Sequence, residues 1–365
     1  MNQDAFQYDE VGVDTERAQT GLGRLARSIN QTLTLRDGSD FGRPAMGLGY
    51  FANVLELPGR QGLAICTDGV GTKILIADAL GRYDTIPIDM IAMNVNDILC
   101  VGAEPFALVD YIAVGNIDDE VFDQLGRGLL EGARQSKISI PGGEIAQVKE
   151  LLQSHGASKG LDLVGTAVGL VAWDQINWGQ AVRSQDVVIG IASSGLHSNG
   201  FTLARHILLE KGGLDLRAVP SGLKRTLGDA LLEPTRIYVA PIMALRDAGI
   251  PLNALVHLTG DGYCNLNRIR ADVGFVIDRL PEPGAIFGLI QETGGIEDAE
   301  MFSVFNMGIG FCAVIPKDRV EDALGLIEKT GAKAQVIGYA TDEHKKEVRL
   351  PQYGLVGGKD RLHRS

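Results

Sequence analysis

The chain has 365 residues, 45% hydrophobic and 22% charged, which is ample material for a buried core and excludes a wholly disordered polypeptide. At roughly 150 residues per domain the length points to two domains. With 34 Lys and Arg against 46 Asp and Glu, the formal net charge of −12 repels polyanions, so nucleic acid is a poor partner.

Residues 1–40 are polar, and Gly12, Gly21 and Gly23 interrupt any helical pattern before residues 25–35. They predict a mobile arm and one short helix. The apolar run GLAICT, the turn DGVGTK and the helix-like KILIADAL then read as strand, loop and helix. Over 87–101 the residues Ile88, Ile91, Val95, Ile98 and Leu99 share one arc at about 100° per residue, an amphipathic helix with Asp97 opposite the stripe. A strand (FALVDYIAV), a helix over 119–136, a strand into the turn at 142–144 and a strand-like LDLVGTAVGLV follow. Between 172 and 184 the pattern turns polar around both tryptophans, the expected domain junction. A strand (DVVIGIA), the loop SSGLHSNG, a helix (FTLARHILLEK) and the turn in HLTGDGYCN then restart an α/β-type pattern. The expected division is an arm and helix over 1–40, domains over 41–175 and 176–350, and a loose basic tail over 351–365.

The four cysteines, Cys66, Cys100, Cys264 and Cys312, show no CxxC spacing and read as reduced thiols. The acidic opening segment has no apolar core of a signal peptide, and no apolar run approaches the ~18 residues needed to span a bilayer. A cytoplasmic protein without a membrane partner is expected.

Several glycine-rich turns carry chemistry-bearing residues. Asp68, Gly69, Thr72 and Lys73 supply an acid, close backbone approach, a hydroxyl and a cation at a helix start, the ingredients of a phosphate site, although the Walker A spacing is absent. Asn94, Asn96 and Asp97 put three oxygen-bearing side chains within one helical turn, which suits a hard cation. Gly142, Gly143 and Glu144 can offer backbone N–H groups and a carboxylate, with a plain turn as the alternative. Ser194, Ser198 and Asn199 lie between a strand and a helix, where an anion is favoured. Thr259 and Gly260 repeat that layout after His257. Of six histidines, His155, His206, His344 and His363 read as surface or structural, leaving His197 and His257 in site loops.

Taken in order, TDGVGTK, NVNDILCVGAEP, DYIAVG, PGGE, SSGLHSNGF, EPTRIYV, VHLTG and FNMGIG resemble the phosphoribosylformylglycinamidine cyclo-ligase (aminoimidazole ribonucleotide synthetase) family of purine biosynthesis. The similarity runs from YDEVGVD at 8–14 to residue 311. Selenophosphate synthetase, thiamine-monophosphate kinase and a hydrogenase-maturation dehydratase are similar only in the acidic phosphate-site elements. The resemblance implies an α+β, two-domain fold, with an N-terminal sheet domain that forms a homodimer and a C-terminal α/β-type domain that closes the cleft. It places Asp68, Gly69, Thr72, Lys73, Asp97, Gly142, Gly143 and Glu144 on ATP, with Asp68 and Asp97 on Mg²⁺. Ser194, Ser198, Asn199, Thr259 and Gly260 face the small-molecule substrate, and His197 and His257 are the candidate catalytic histidines. In the family, ATP phosphorylates the formyl-amide oxygen and the amidine nitrogen then displaces phosphate to close an imidazole ring. Such phosphoryl transfer needs positioning and charge neutralisation more than a protein nucleophile.

Four departures fall on the substrate side. Ala26, beside Arg27, stands where the family usually has lysine, and a Gly-Gly-Phe-Gly loop becomes Gly49, Tyr50, Phe51 and Ala52. Gln147 lies in a rewritten stretch after Glu144, and Asp261 replaces a glycine and adds negative charge. Three readings remain: the cyclo-ligase, a paralogous ATP-dependent enzyme with another acceptor, or a catalytically weak nucleotide-binding or assembly subunit.

Overall fold

The computed structural model describes residues 15–152, 160–358 and 361–365. The YDEVGVD string, Gly12 and His155 lie outside them. The first helix, α1 (Thr15–Thr32), is long rather than short and runs through Gly21 and Gly23. Neither glycine has another atom within 4 Å of its missing Cβ, and an exposed helical glycine costs only ~1 kcal/mol.

In the first half, β1 (Asn53–Leu57), β2 (Gln61–Gly69), β3 (Glu104–Val114), β4 (Ser139–Gln147) and β5 (Leu161–Ala172) form one sheet in the order β1-β2-β5-β3-β4. Only the β3–β4 pair is parallel. Alternation in β2 and β5 puts Ala64, Cys66, Leu163 and Ala167 on a buried face. That face is covered by helices α2 (Ile74–Leu80), α3 (Ile86–Cys100) and α4 (Asp119–Ser136). Ile65, Val109, Tyr111 and Leu170, with Phe106 at a bulge in β3, are exposed on the other face.

Every residue of α3 except Asp97 is buried. The expected polar side of this helix is therefore not solvated, because the second half of the chain packs on it. A helix covered all round lies in the interior of a larger unit. Its approach to α4 depends on glycine: a Cβ on Gly128 would stand on the Asp84 carbonyl and the Pro87 ring, and one on Gly132 would lie 2.7 Å from Ile91 Cδ1.

The second half contains β6 (Val187–Ala192), α5 (Phe201–Arg205), α6 (Leu227–Leu231), α7 (Val239–Asp247), β7 (Ala254–His257), β8 (Gly274–Ile277), α8 (Ala285–Gly294) and α9 (Asp298–Val304). It continues through β9 (Ile309–Ile315), α10 (Val320–Lys329), β10 (Ala334–Thr341), β11 (Val348–Leu350), β12 (Leu355–Gly357) and β13 (Leu362–Arg364). Its eight strands run β13-β12-β11-β8-β10-β6-β9-β7. The tail expected to be loose thus adds two strands, and Leu355 and Leu362 bury their side chains there. Backbone pairing and those two leucines outweigh the basic composition on which the expectation rested.

The halves are joined by buried charge. Lys73 and Asp89 are both fully buried, with Nζ 2.8 Å from the carboxylate. Lys73 also donates to the carbonyls of His197 (3.2 Å) and Glu233 (2.7 Å). Asp89 accepts from the N–H (2.7 Å) and hydroxyl (2.6 Å) of Thr235. Burial pulls the Lys73 ammonium down and pushes the Asp89 carboxyl up from their ordinary values. The mutual attraction and these bonds offset that cost. Lys73, expected to meet a phosphate, is instead consumed as a clamp: all three of its ammonium donors have protein acceptors.

Two stability measurements check this account. Gly128→Ala should destabilise by about 1–3 kcal/mol through overpacking. Gly126→Ala on the same helix, where nothing lies within 4 Å, should stabilise by up to about 1 kcal/mol. Lys73→Met should cost about 3–5 kcal/mol by stranding a buried carboxylate, and the double change Lys73→Met with Asp89→Leu should recover part of that loss. Urea midpoints of the four variants give the comparison.

Candidate active site

β2 delivers Asp68 at its end, and the sheet carries that position across to a second acid. Asp68 pairs with Gly165 of β5, Gly165 with Asp110 of β3, and Asp110 with Gly143 of β4. Directly paired residues share a face, here the one under α3. Gly165 is required: a Cβ there would meet Met90 Sδ and stand 3.1 Å from Asn94 Nδ2. Asn94 Nδ2 donates to the Asp68 carbonyl (3.0 Å) and the Met90 carbonyl (2.9 Å), while Asn94 Oδ1 is buried without a partner. Asp68 Oδ1 accepts from the Gly69 N–H at 2.8 Å. Burial raises the Asp68 carboxyl above its usual range; Gly69 opposes that and Asp97 adds to it. Burial likewise raises Asp110.

Asp97, the one α3 residue that reaches the surface, is gripped on both oxygens. His257 Nδ1 lies 2.8 Å from Oδ1, and the Cys66 thiol donates to Oδ2 at 3.8 Å. With its proton directed at Asp97, His257 accepts on Nε2 from Asn96 Nδ2 at 3.5 Å. Asn96 also donates to the Arg236 carbonyl (3.0 Å) and accepts from the Tyr238 N–H (2.9 Å). His257 is fully buried and orients Asp97 instead of facing a substrate. His197 is also turned inward, with φ 64° and Nε2 accepting from the Ser194 N–H at 3.3 Å. Burial first, then the charges of His257, Lys73 and Arg236, hold its imidazole well below the ordinary histidine value. Neither histidine presents a ring for proton transfer, because each loop folds its imidazole into the core beneath it.

The loops of the second half converge on α3. Asn199 Nδ2 lies 4.0 Å from Met93 Sδ, and Asn199 Oδ1 is 3.5 Å from the place a Gly260 Cβ would occupy. Ser198 Oγ lies 3.0 Å from Thr235 Oγ1, and Thr72 Oγ1 lies 3.1 Å from Thr202 Oγ1. The Thr259 carbonyl closes the next turn on the Gly262 N–H at 2.9 Å. Ser194 is spent differently, donating to the Pro234 carbonyl at 2.5 Å.

Gly142, Gly143 and Glu144 do not form a turn; they lie inside the edge strand β4. Glu144 pairs with Tyr111, which puts it on the sheet face opposite Asp68. The space where a Gly143 Cβ would stand is taken by the Asp110 carboxylate. The acid on the α3 face is therefore Asp110, legible as a lone charge inside the apolar string FALVDYIAV. Arg236, in EPTRIYV, is a second residue missed. Two of the four departures have a structural explanation. Tyr50 packs edge-on against Phe51 and Trp178, both with ring centroids at 5.2 Å, so its bulk joins the junction core. Asp261 pairs with Arg268, which neutralises the added charge. Ala26 and Arg27 lie on α1, and Gln147 ends β4, exposed.

Among the described residues no three His, Cys, Asp or Glu side chains converge as a metal cage. Asp68, Asp97 and the unpartnered Asn94 Oδ1 nonetheless fit a magnesium ion that keeps most of its coordination for phosphate oxygens and water.

Two family models cover most of the chain: AIR synthase related protein, N-terminal domain, over residues 49–171, and the corresponding C-terminal domain over 183–351. A phosphoribosylformylglycinamidine cyclo-ligase of Thermococcus kodakarensis is 48% identical over 348 residues, covering 95% of this chain and 98% of the relative. One from Methanothermobacter thermautotrophicus is 44% identical over 343 residues, covering 94% and 96%. Among solved structures, thiamine-monophosphate kinase from Stenotrophomonas maltophilia superposes with a TM-score of 0.59 at 20% identity, covering 88% of this chain and 94% of that one. The hydrogenase maturation protein HypE gives 0.59 at 16%, covering 85% and 90%; at such identities the likeness speaks for the fold alone. With near-complete coverage at almost half identity, and with both AIR-synthase-type domains matched, the chain belongs to the phosphoribosylformylglycinamidine cyclo-ligase family.

Proposed function

We propose that this chain catalyses the ATP-dependent closure of formylglycinamidine ribonucleotide to aminoimidazole ribonucleotide, with release of ADP and phosphate. The observation that carries the reading is the pair Asp68 and Asp97, near enough for the charge of Asp97 to bear on Asp68, beside Asn94, whose amide holds the Asp68 carbonyl and whose Oδ1 has no partner. Magnesium bound there would neutralise the charge of the ATP phosphates. Asp68 and Asp97 would hold the ion, with Asp97 kept in place by His257 and Cys66. Gly69 and the start of the loop after β2 let phosphate approach the backbone. Ser198, Asn199, Thr259 and Gly260 line the substrate side. The reading needs no serine or cysteine nucleophile, since the substrate's own amidine nitrogen attacks and phosphate leaves.

The competing reading of a changed acceptor rested on four departures; Tyr50 and Asp261 have structural partners, which weakens it, while nothing in the structure explains Ala26 or Gln147. A weak assembly subunit is disfavoured by the retained acids. A homodimer through the exposed sheet face is part of the proposal: Ile65, Val109, Tyr111 and Leu170 form an apolar surface of a kind that monomers seldom leave uncovered. No helix among the described residues is long and apolar enough to cross a membrane. The four free, buried cysteines accord with a cytoplasmic setting.

Two measurements test this. In calorimetry, Asp68→Asn and Asp97→Asn should each weaken Mg-ATP binding by tenfold or more, about 1.4 kcal/mol, and wild-type affinity in both would remove the acids from the site. In sedimentation at micromolar concentration the wild type should run at twice the single-chain mass, and Val109→Lys with Tyr111→Lys should shift it to the single-chain mass. A wild type that already runs as one chain ends the dimer proposal.

A further inference from the structure

We infer that Arg236 is the anchor for the phosphate monoester of the substrate, an assignment that deepens the cyclo-ligase reading and rests on it for the identity of the ribonucleotide. The backbone around Arg236 is held on both sides. The Glu233 carbonyl accepts from Lys73, Thr235 is bound twice to Asp89, the Arg236 carbonyl accepts from Asn96 and the Tyr238 N–H donates to Asn96. A segment tied at three residues to α3 and at a fourth to Lys73 presents its side chain with little freedom.

That side chain has no match in the protein. Arg236 Nε is buried and has no acceptor, and among the described residues no carboxylate lies within ion-pair distance of its guanidinium. Two arginines bordering this region are neutralised, Arg225 by Glu233 and Arg268 by Asp261. Leaving a half-buried cation unpaired is unfavourable unless a ligand completes it. The guanidinium's planar fork fits two phosphate oxygens better than any other side chain does.

Its place in the site fits that role. Thr235, next in the chain, contacts Ser198 of the loop after β6. Arg236 therefore stands on the side of the substrate loops, while the ATP side is lined by the acids Asp68, Asp97 and Asp110. A bare phosphate monoester is repelled there, and the chain's net charge of −12 adds to the repulsion at long range. Lys73, the other cation near these loops, is consumed by Asp89 and two carbonyls. Arg236, with its Nε unpartnered, is then placed to supply a compensating charge for the ribonucleotide.

The test compares the ribonucleotide with its dephosphorylated ribonucleoside in wild type, Arg236→Met and Arg236→Lys. Arg236→Met should lower kcat/KM for the ribonucleotide by a hundredfold or more and for the ribonucleoside by less than threefold, with the KM for Mg-ATP within twofold. Arg236→Lys should fall between, since it keeps the charge and loses the fork. Equal losses for both substrates, or a tenfold rise in the KM for Mg-ATP, would overturn the assignment. Calorimetry with ribose 5-phosphate separates this inference from the cyclisation reading. If wild type does not cyclise but binds ribose 5-phosphate and Arg236→Met does not, the phosphate site stands and the reading fails. If wild type cyclises and Arg236→Met keeps the preference for the ribonucleotide, the reading stands and the phosphate site fails. Should Arg236→Met lose Mg-ATP binding and its melting transition through misfolding, the decision passes to Arg236→Lys. A tenfold rise in its KM for the ribonucleotide alone supports the site, and an unchanged KM overturns it.

Discussion

The burial of the Lys73–Asp89 pair constrains everything around it. An uncompensated charge in the interior costs several kcal/mol, so Asp89 on α3 and Lys73 at the end of the DGVGTK turn must meet, and the remaining lone pairs and protons must find partners. Those partners are Thr235, Glu233 and the His197 carbonyl, all from the second half of the chain. One charge pair thereby locks the turn that carries Asp68 and two loops of the second half around a single helix.

Glycine makes that arrangement possible on the other side of α3. Gly165 and Gly169 of β5 lie where a Cβ would strike Met90 and Ile98, and Gly128 and Gly132 of α4 do the same toward Pro87 and Ile91. Close approach of sheet and helix brings Asn94 onto the Asp68 carbonyl and sets Asp68 and Asp110 in one row. Packing so tight tolerates few added methylenes, which is why acids two strands apart keep a fixed spacing.

Of the buried polar atoms that lack partners among the described residues, two lie beside the elements that carry Asp68 and Asp97. Asn94 Oδ1, on the side chain that holds the Asp68 carbonyl, and Arg236 Nε, next to Thr235, are buried polar atoms without partners. The first is an acceptor and the second a donor, which is the basis of the cation and anion sites proposed above. His197 Nδ1 is also unpartnered, but its ring is sealed behind the loop that His197 itself bends.

The sequence by itself determined the local elements that position the site: the strand–turn–helix of GLAICT-DGVGTK-KILIADAL, the apolar helix around Asn94–Asp97, and the glycine turns around Asn199 and Gly260. Their signals are short-range, since apolar periodicity and turn residues act through neighbouring backbone. The ordered strings also revealed the family. Only the tertiary structure decided which polar groups were free. Lys73 meets a carbonyl 160 residues away and Asp97 a histidine 160 residues away, while strand register, invisible in a single strand, turned Glu144 outward and left Asp110 facing α3. The basic tail likewise became strands because β11 supplied an edge for β12. A charged side chain looks the same in sequence whether it will bind a ligand or a distant part of its own chain, and the difference rests on contacts that no local pattern encodes.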